Sequence, residues 1–137
     1  MRRAVGLLLL AACGEHAHRE PPPAGPATNP VQHEMRLLTS ALESAVRGIG
    51  YGDVRGVEHE LHAVHAAKAA TEAAIREGRY KPPRGGSLDG FRELDEAFHG
   101  DLERLAQAAH ENNVSATAAS LGAVMQRCQG CHGEFRR

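Results

Sequence analysis

In this 137-residue chain, apolar residues recur at intervals of three and four through four successive segments, and no stretch sustains period-two alternation of β-branched residues. Such spacing places one apolar stripe along each of four α-helices and leaves no candidate for a sheet. In the first segment Val31, Met35, Leu38, Leu42, Val46 and Ile49 share a stripe, while His33, Arg36, Ser40, Ser44 and Arg47 point away. Gly48, Gly50 and Gly52 are expected to end it. Asp53 is placed to cap a second helix running to about Glu77, with Val54, Val57, Leu61 and Val64 inward and alanines filling its later turns. Gly78 to Gly86, with Pro82 and Pro83, breaks the pattern. Ser87 can cap a third helix with Phe91, Leu94, Phe98, Leu102 and Leu105 on its inner face. Asn112 or Asn113 can cap a fourth that buries Val114, Ala118, Leu121, Met125 and Cys128. Mostly short connections predict an all-α fold, an antiparallel up-down-up-down four-helix bundle over residues 31–137.

The last of these helices carries Cys128-Gln129-Gly130-Cys131-His132. Two thiols in C-x-x-C can each add across a vinyl group of haem, and the adjoining imidazole is placed to coordinate the iron, so the pentapeptide reads as covalent attachment of one haem c. Three rivals fit less well. A thioredoxin-like dithiol wants a βαβ setting and a helix following the motif, and only five residues follow His132. Zinc on Cys128, Cys131 and His132 would strain a tetrahedron with two adjacent ligands and lacks a second Cys pair. A disulfide across i and i+3 leaves the flanking His without a role.

Haem attachment of this kind takes place outside the cytoplasm, and the N-terminus reads as an export signal. Met1-Arg2-Arg3 is a basic start and Val5 to Ala12 a short apolar run, far below the ~20 residues of a transmembrane helix. Residues 1–12 are therefore expected to be a signal peptide. The run closes as Leu10-Ala11-Ala12-Cys13, which resembles the lipobox of bacterial lipoproteins. By that resemblance Cys13 becomes the lipid-bearing N-terminus, and Gly14 in place of an Asp favours the outer membrane. An ordinary signal peptide with an incidental Cys is the alternative. Lipid on Cys13 and haem on Cys128 and Cys131 would occupy all 3 cysteines. From Gly14 to Pro30 the chain is rich in Pro, a tether of about 3.1 Å per residue, or roughly 50 Å.

Losing Arg2 and Arg3 with the leader takes Lys plus Arg from 16 to 14 against 17 Asp plus Glu, a net charge of −3 that suggests no nucleic-acid partner. Aromatics are 4% of the chain and Trp is absent, so the bundle's own core is thin and a buried haem would add to it. In an up-down-up-down bundle the first and fourth helices are antiparallel, which sets the early turns of the first beside the end of the fourth. Met35 is thereby placed across from His132. His33 lies roughly 200° around the helix from Met35, so the two cannot both face the iron.

The C-terminal Cys-Gln-Gly-Cys-His-Gly-Glu-Phe-Arg, the four helical segments and a Met in the first helix together resemble the class II c-type cytochromes, cytochrome c-prime and its low-spin relatives. The resemblance implies His132 as proximal iron ligand and Arg136 as the basic residue near the haem. Low-spin members place an iron-binding Met in helix 1, and high-spin members leave the sixth site open behind an apolar side chain. Met35 aligns this chain with the low-spin group, against the plainer reading of Met35 as core filler.

Two further His groups have spacings that could serve a metal. His16 and His18 lie in the tether, where solvated side chains are the ordinary case. His59, His62 and His65 sweep around helix 2, and His59-Glu60-Leu61-His62 is one residue short of H-E-x-x-H. The expectation is a periplasmic, lipid-anchored monohaem electron carrier with His132 and Met35 on the iron, exchanging electrons with redox partner proteins as a monomer or homodimer. The alternative is a five-coordinate haem that binds nitric oxide or carbon monoxide. Enzymatic activity is not expected, since no additional acid–base pair can be placed at the haem.

Overall fold

The computed structural model describes residues 29–81 and 86–136. The signal peptide, Cys13, His16, His18, most of the tether, and Pro82 and Pro83 lie outside the described residues.

Four helices account for nearly all of it: α1 (Pro30–Tyr51), α2 (Val57–Arg76), α3 (Leu88–His110) and α4 (Val114–Phe135). They pack α1 on α2, α2 on α3, α3 on α4 and α4 on α1, which is the square of an up-down-up-down bundle. Asn29 starts α1 by accepting from the Val31 N–H, and Pro30, counted above with the tether, takes the first helical position, where its missing N–H is no loss. Gly52 ends α1 at φ +76°, a left-handed conformation that glycine adopts without Cβ strain. Gly48 and Gly50 do not stop the helix. Gly48 is instead where the following turn presses on α1, since a Cβ there would meet the Asp53 carbonyl oxygen at 2.7 Å.

Asp53 does not cap α2. Its carboxylate is taken by the Arg55 side chain at 2.7 Å, which holds the carboxyl down at a pKa of about 2, and α2 starts after Gly56 with no side-chain cap. Val54, Val57, Leu61 and Val64 are nevertheless all buried, as the spacing predicts. Ser87 caps α3 through the Gly90 N–H and Asn113 caps α4 through the Ala116 N–H. Asn112 serves elsewhere, accepting the Val54 N–H at 3.0 Å and so tying the α3–α4 turn to the α1–α2 turn.

Two inner faces are rotated from their expected positions. On α1 the buried residues are Glu34, Leu38, Ala41 and Ala45, with Met35 and Leu42 at the edge and Val46 60% exposed. On α4 they are Thr117, Val124 and Phe135, with Ala118 exposed and Met125 53% exposed. The reason is contact distance. Small residues such as Ala41 and Ala45 let α1 approach its neighbours closely, so the centre of the contact falls on them and the larger side chains move to the flanks.

The core is divided. A larger cluster is built on Leu38, Val54, Leu61, Val64, Phe98, Leu102, Leu105 and Val124. A smaller one holds Ile75, Phe91 and Phe135, flanked by Tyr80 and Leu94. Phe91 meets Phe135 edge-on at 5.4 Å and Tyr80 at 5.5 Å.

Candidate cofactor site

Between the start of α1, α3 and the end of α4 lies a cavity of about 710 Å³, within the range of cofactor clefts. Its walls come from both clusters: Leu38 and Phe98 from the larger, Phe91 and Phe135 from the smaller. Met35 and Leu42 of α1 line it, as do Cys128, Cys131, His132 and Arg136 at the end of α4. The antiparallel α1–α4 placement read from the sequence is therefore what brings Met35 and His132 to one cavity. His33 is exposed and does not line it.

Each donor has an intelligible setting. Cys128 and Cys131 are free thiols, three residues apart on one face of α4, and both are partly buried. Cys128 packs against the larger cluster and Cys131 against the smaller, so the two sulfurs bridge the divide in the core. Burial pushes both thiols up in pKa, and for Cys131 the Asp95 carboxylate adds to it. Burial also pushes His132 down, helped by the Arg136 guanidinium, which favours the neutral imidazole with a lone pair for a metal. Tyr80 is pushed up, again by burial first.

A haem fits this donor set. Two thiols three residues apart on one helix, an adjacent neutral imidazole, and mainly aliphatic and aromatic walls suit a covalently held porphyrin. The Met35 thioether lines the same cavity from the neighbouring helix α1. Among the described residues no helix is long and apolar enough to cross a membrane.

Sequence reasoning missed a second constellation next door. Glu34 and His99 are 1% and 2% exposed, and Glu34 Oε1 sits 2.9 Å from His99 Nε2. Thr71 Oγ1 donates to the other Glu34 oxygen at 2.5 Å, and Asp95 Oδ1 lies 3.7 Å from the same His99 nitrogen. The Asp95 carboxyl is pushed up by burial, with Glu34 adding to the effect and His99 opposing it. Asp95 also lines the cavity. A signal is present, since Asp95 and His99 are one helical turn apart and Glu34 adjoins an apolar stripe, but nothing within either segment shows that they meet. The His group of α2 does not gather: His59 is exposed, His62 pairs with Glu58 at 3.3 Å, and His65 turns inward.

Residues 86–136, covering α3 and α4, match the family model described as cytochrome c'. The chain is also similar to a cytochrome c' of Halomonas halodenitrificans, 38% identical over 53 residues, a stretch that is 38% of this chain and 40% of that protein. The match thus spans well under half of that relative's length. No solved structure matches at a significant level.

Proposed function

We propose that this chain is a class II c-type cytochrome, a reading supported by the match over its third and fourth helices, and a periplasmic carrier of single electrons. Haem c is the covalent cofactor of that family, and bound haem supplies a one-electron Fe(III)/Fe(II) couple. In this reading the Cys128 and Cys131 sulfurs hold the porphyrin to α4. His132, whose neutral form burial and Arg136 favour, would hold the iron through its ring lone pair. Met35 presents its thioether from α1, a donor that favours the reduced state and raises the potential. The apolar walls given by Leu38, Phe91 and Phe98 keep water from the interior side. No substrate pocket or proton donor is needed for an electron to pass through an exposed edge, and the reading is of a carrier, not an enzyme.

The single observation that supports it is the one cavity lined by both Met35 and His132. The leader and Leu10-Ala11-Ala12-Cys13 support export and a lipid on Cys13, with the outer membrane as the favoured address and redox proteins as partners.

Two measurements test it. Mass spectrometry of the exported chain is expected to show one haem added, lost when Cys128 and Cys131 are both replaced by Ala, and a lipid addition that depends on Cys13. The ferric protein is expected to be low-spin with a methionine-to-iron charge-transfer band, abolished in Met35→Ala. A high-spin spectrum in the unaltered protein would instead mean an open sixth site, suited to nitric oxide or carbon monoxide.

A further inference from the structure

We propose that Glu34, Asp95 and His99 form a second metal site, for a divalent first-row cation of the zinc class, in the interior of the bundle beside the haem cavity. One ligand atom from each of the three lies within 4.8 Å of the other two. His99 Nε2 is 2.9 Å from Glu34 Oε1 and 3.7 Å from Asp95 Oδ1. Around a four-coordinate zinc with nitrogen and oxygen ligands, neighbouring donors sit roughly 3.3–3.6 Å apart, a separation that the two His99 distances bracket. Imidazole with two carboxylates is a donor set for zinc, ferrous or manganous ions and not for soft cations.

The scaffold is rigid. Asp95 and His99 stand one turn apart on α3, and Glu34 reaches them from α1, diagonally across the bundle. Thr71 of α2 holds the second Glu34 oxygen, so three helices fix the geometry. Metal centres in helical bundles are built in this way, from inward side chains on facing helices.

Charge points the same way. A carboxylate 1% exposed and another 14% exposed share one imidazole nitrogen, which carries a single proton at most. Lys68 acts on Asp95 only from a position 25% exposed, where it is engaged with Glu72 at 3.6 Å. Buried negative charge left over by that arrangement is costly, and a dication would neutralise it.

An independent observation comes from the nitrogens. His99 Nδ1 is buried without a hydrogen-bond partner, and so is His65 Nε2. His65 Nδ1 faces the Leu61 carbonyl oxygen at 3.2 Å, and a carbonyl only accepts, so Nδ1 carries the proton and Nε2 is a bare lone pair. The two rings are 5.3 Å apart. The His65 Nε2 lone pair, buried and without a hydrogen-bond partner beside the His99 ring, is a further nitrogen donor near the three.

The test uses the haem-loaded full chain, stripped with a chelator, in a background where His16, His18, His59 and His62 are replaced by Ala. Zinc is titrated by calorimetry, and melting is followed with and without it. One equivalent is expected to bind and to raise the melting temperature, because the ion binds only the folded state. Asp95→Asn and His99→Gln are each expected to weaken binding at least tenfold. Asp95 lies 3.7 Å from His99, too far for a hydrogen bond, so its amide variant should keep the fold, which its melting curve without zinc checks. Zinc binding that is absent in this background, or that persists unchanged in Asp95→Asn, would overturn the proposal.

Discussion

Glu34 Oε1 on α1 and His99 Nε2 on α3 are 2.9 Å apart across the diagonal of the bundle, both side chains almost wholly buried. Helices α1 and α3 are not packed neighbours, so this pair and the Thr71 bond to Glu34 cross-link the interior where apolar contact alone does not.

Removing one member of such a pair leaves the others buried and unpaired. Glu34→Ala is expected to cost about 3 kcal/mol, measured by denaturant unfolding in the presence of a chelator. Replacing Glu34 by Met and His99 by Leu together should recover most of that loss, since apolar residues of similar volume carry no desolvation cost. A double variant as unstable as Glu34→Ala would show that the pair is not the source of the effect.

Asp101 connects α3 to α4 through Arg127 at 2.7 Å and also pairs with Arg104. The Arg127 hydrogen bond holds its carboxyl below the usual carboxylate range. A carboxyl lowered in the folded state binds its proton more readily when unfolded, so its contribution is present above the unfolded pKa near 4 and is lost as pH falls through the folded value. Asp101→Asn should therefore be less stable by about 1 kcal/mol at pH 7, the exposed arginine ends being screened by solvent, with the gap closing in acid. Melting curves of both proteins from pH 7 down to pH 3 would measure it.

At the opposite end of the bundle His110 meets Glu58 at 2.9 Å, joining the end of α3 to the start of α2. The Glu58 carboxylate raises the His110 pKa above its ordinary 6.5. A raised imidazole stabilises the fold below the unfolded pKa and loses that contribution as pH rises through the folded one. An NMR titration should find His110 charged beyond neutrality's usual midpoint, and Glu58→Gln should return it to the ordinary range.

Gly48 sits where the α1–α2 turn touches the helix, and an added Cβ would meet backbone oxygen, which cannot swing aside. Gly48→Ala is expected to destabilise by roughly 1–3 kcal/mol despite alanine's better helix propensity. Gly50→Ala, with nothing within 4 Å, should be neutral or stabilising, and thermal melts of the two variants side by side separate the effects.

Local chemistry made much of this protein legible in its residues. Periodicity revealed four helices, Ser87 and Asn113 marked two of their starts, and Cys128-Gln129-Gly130-Cys131-His132 identified a haem-binding segment, because caps and short motifs depend on neighbours in the chain. Antiparallel order was enough to bring Met35 and His132 to one cavity. Tertiary structure alone decided the rotation of each helix about its axis, which turned Val46 and Met125 outward and Glu34 inward, because small residues at Ala41 and Ala45 determine how closely helices approach. It also decided that Thr71, Asp95 and His99 would join Glu34 in the interior. A polar side chain on a helix reads as solvated until partners from distant segments meet it, and spacing within one segment does not contain that information.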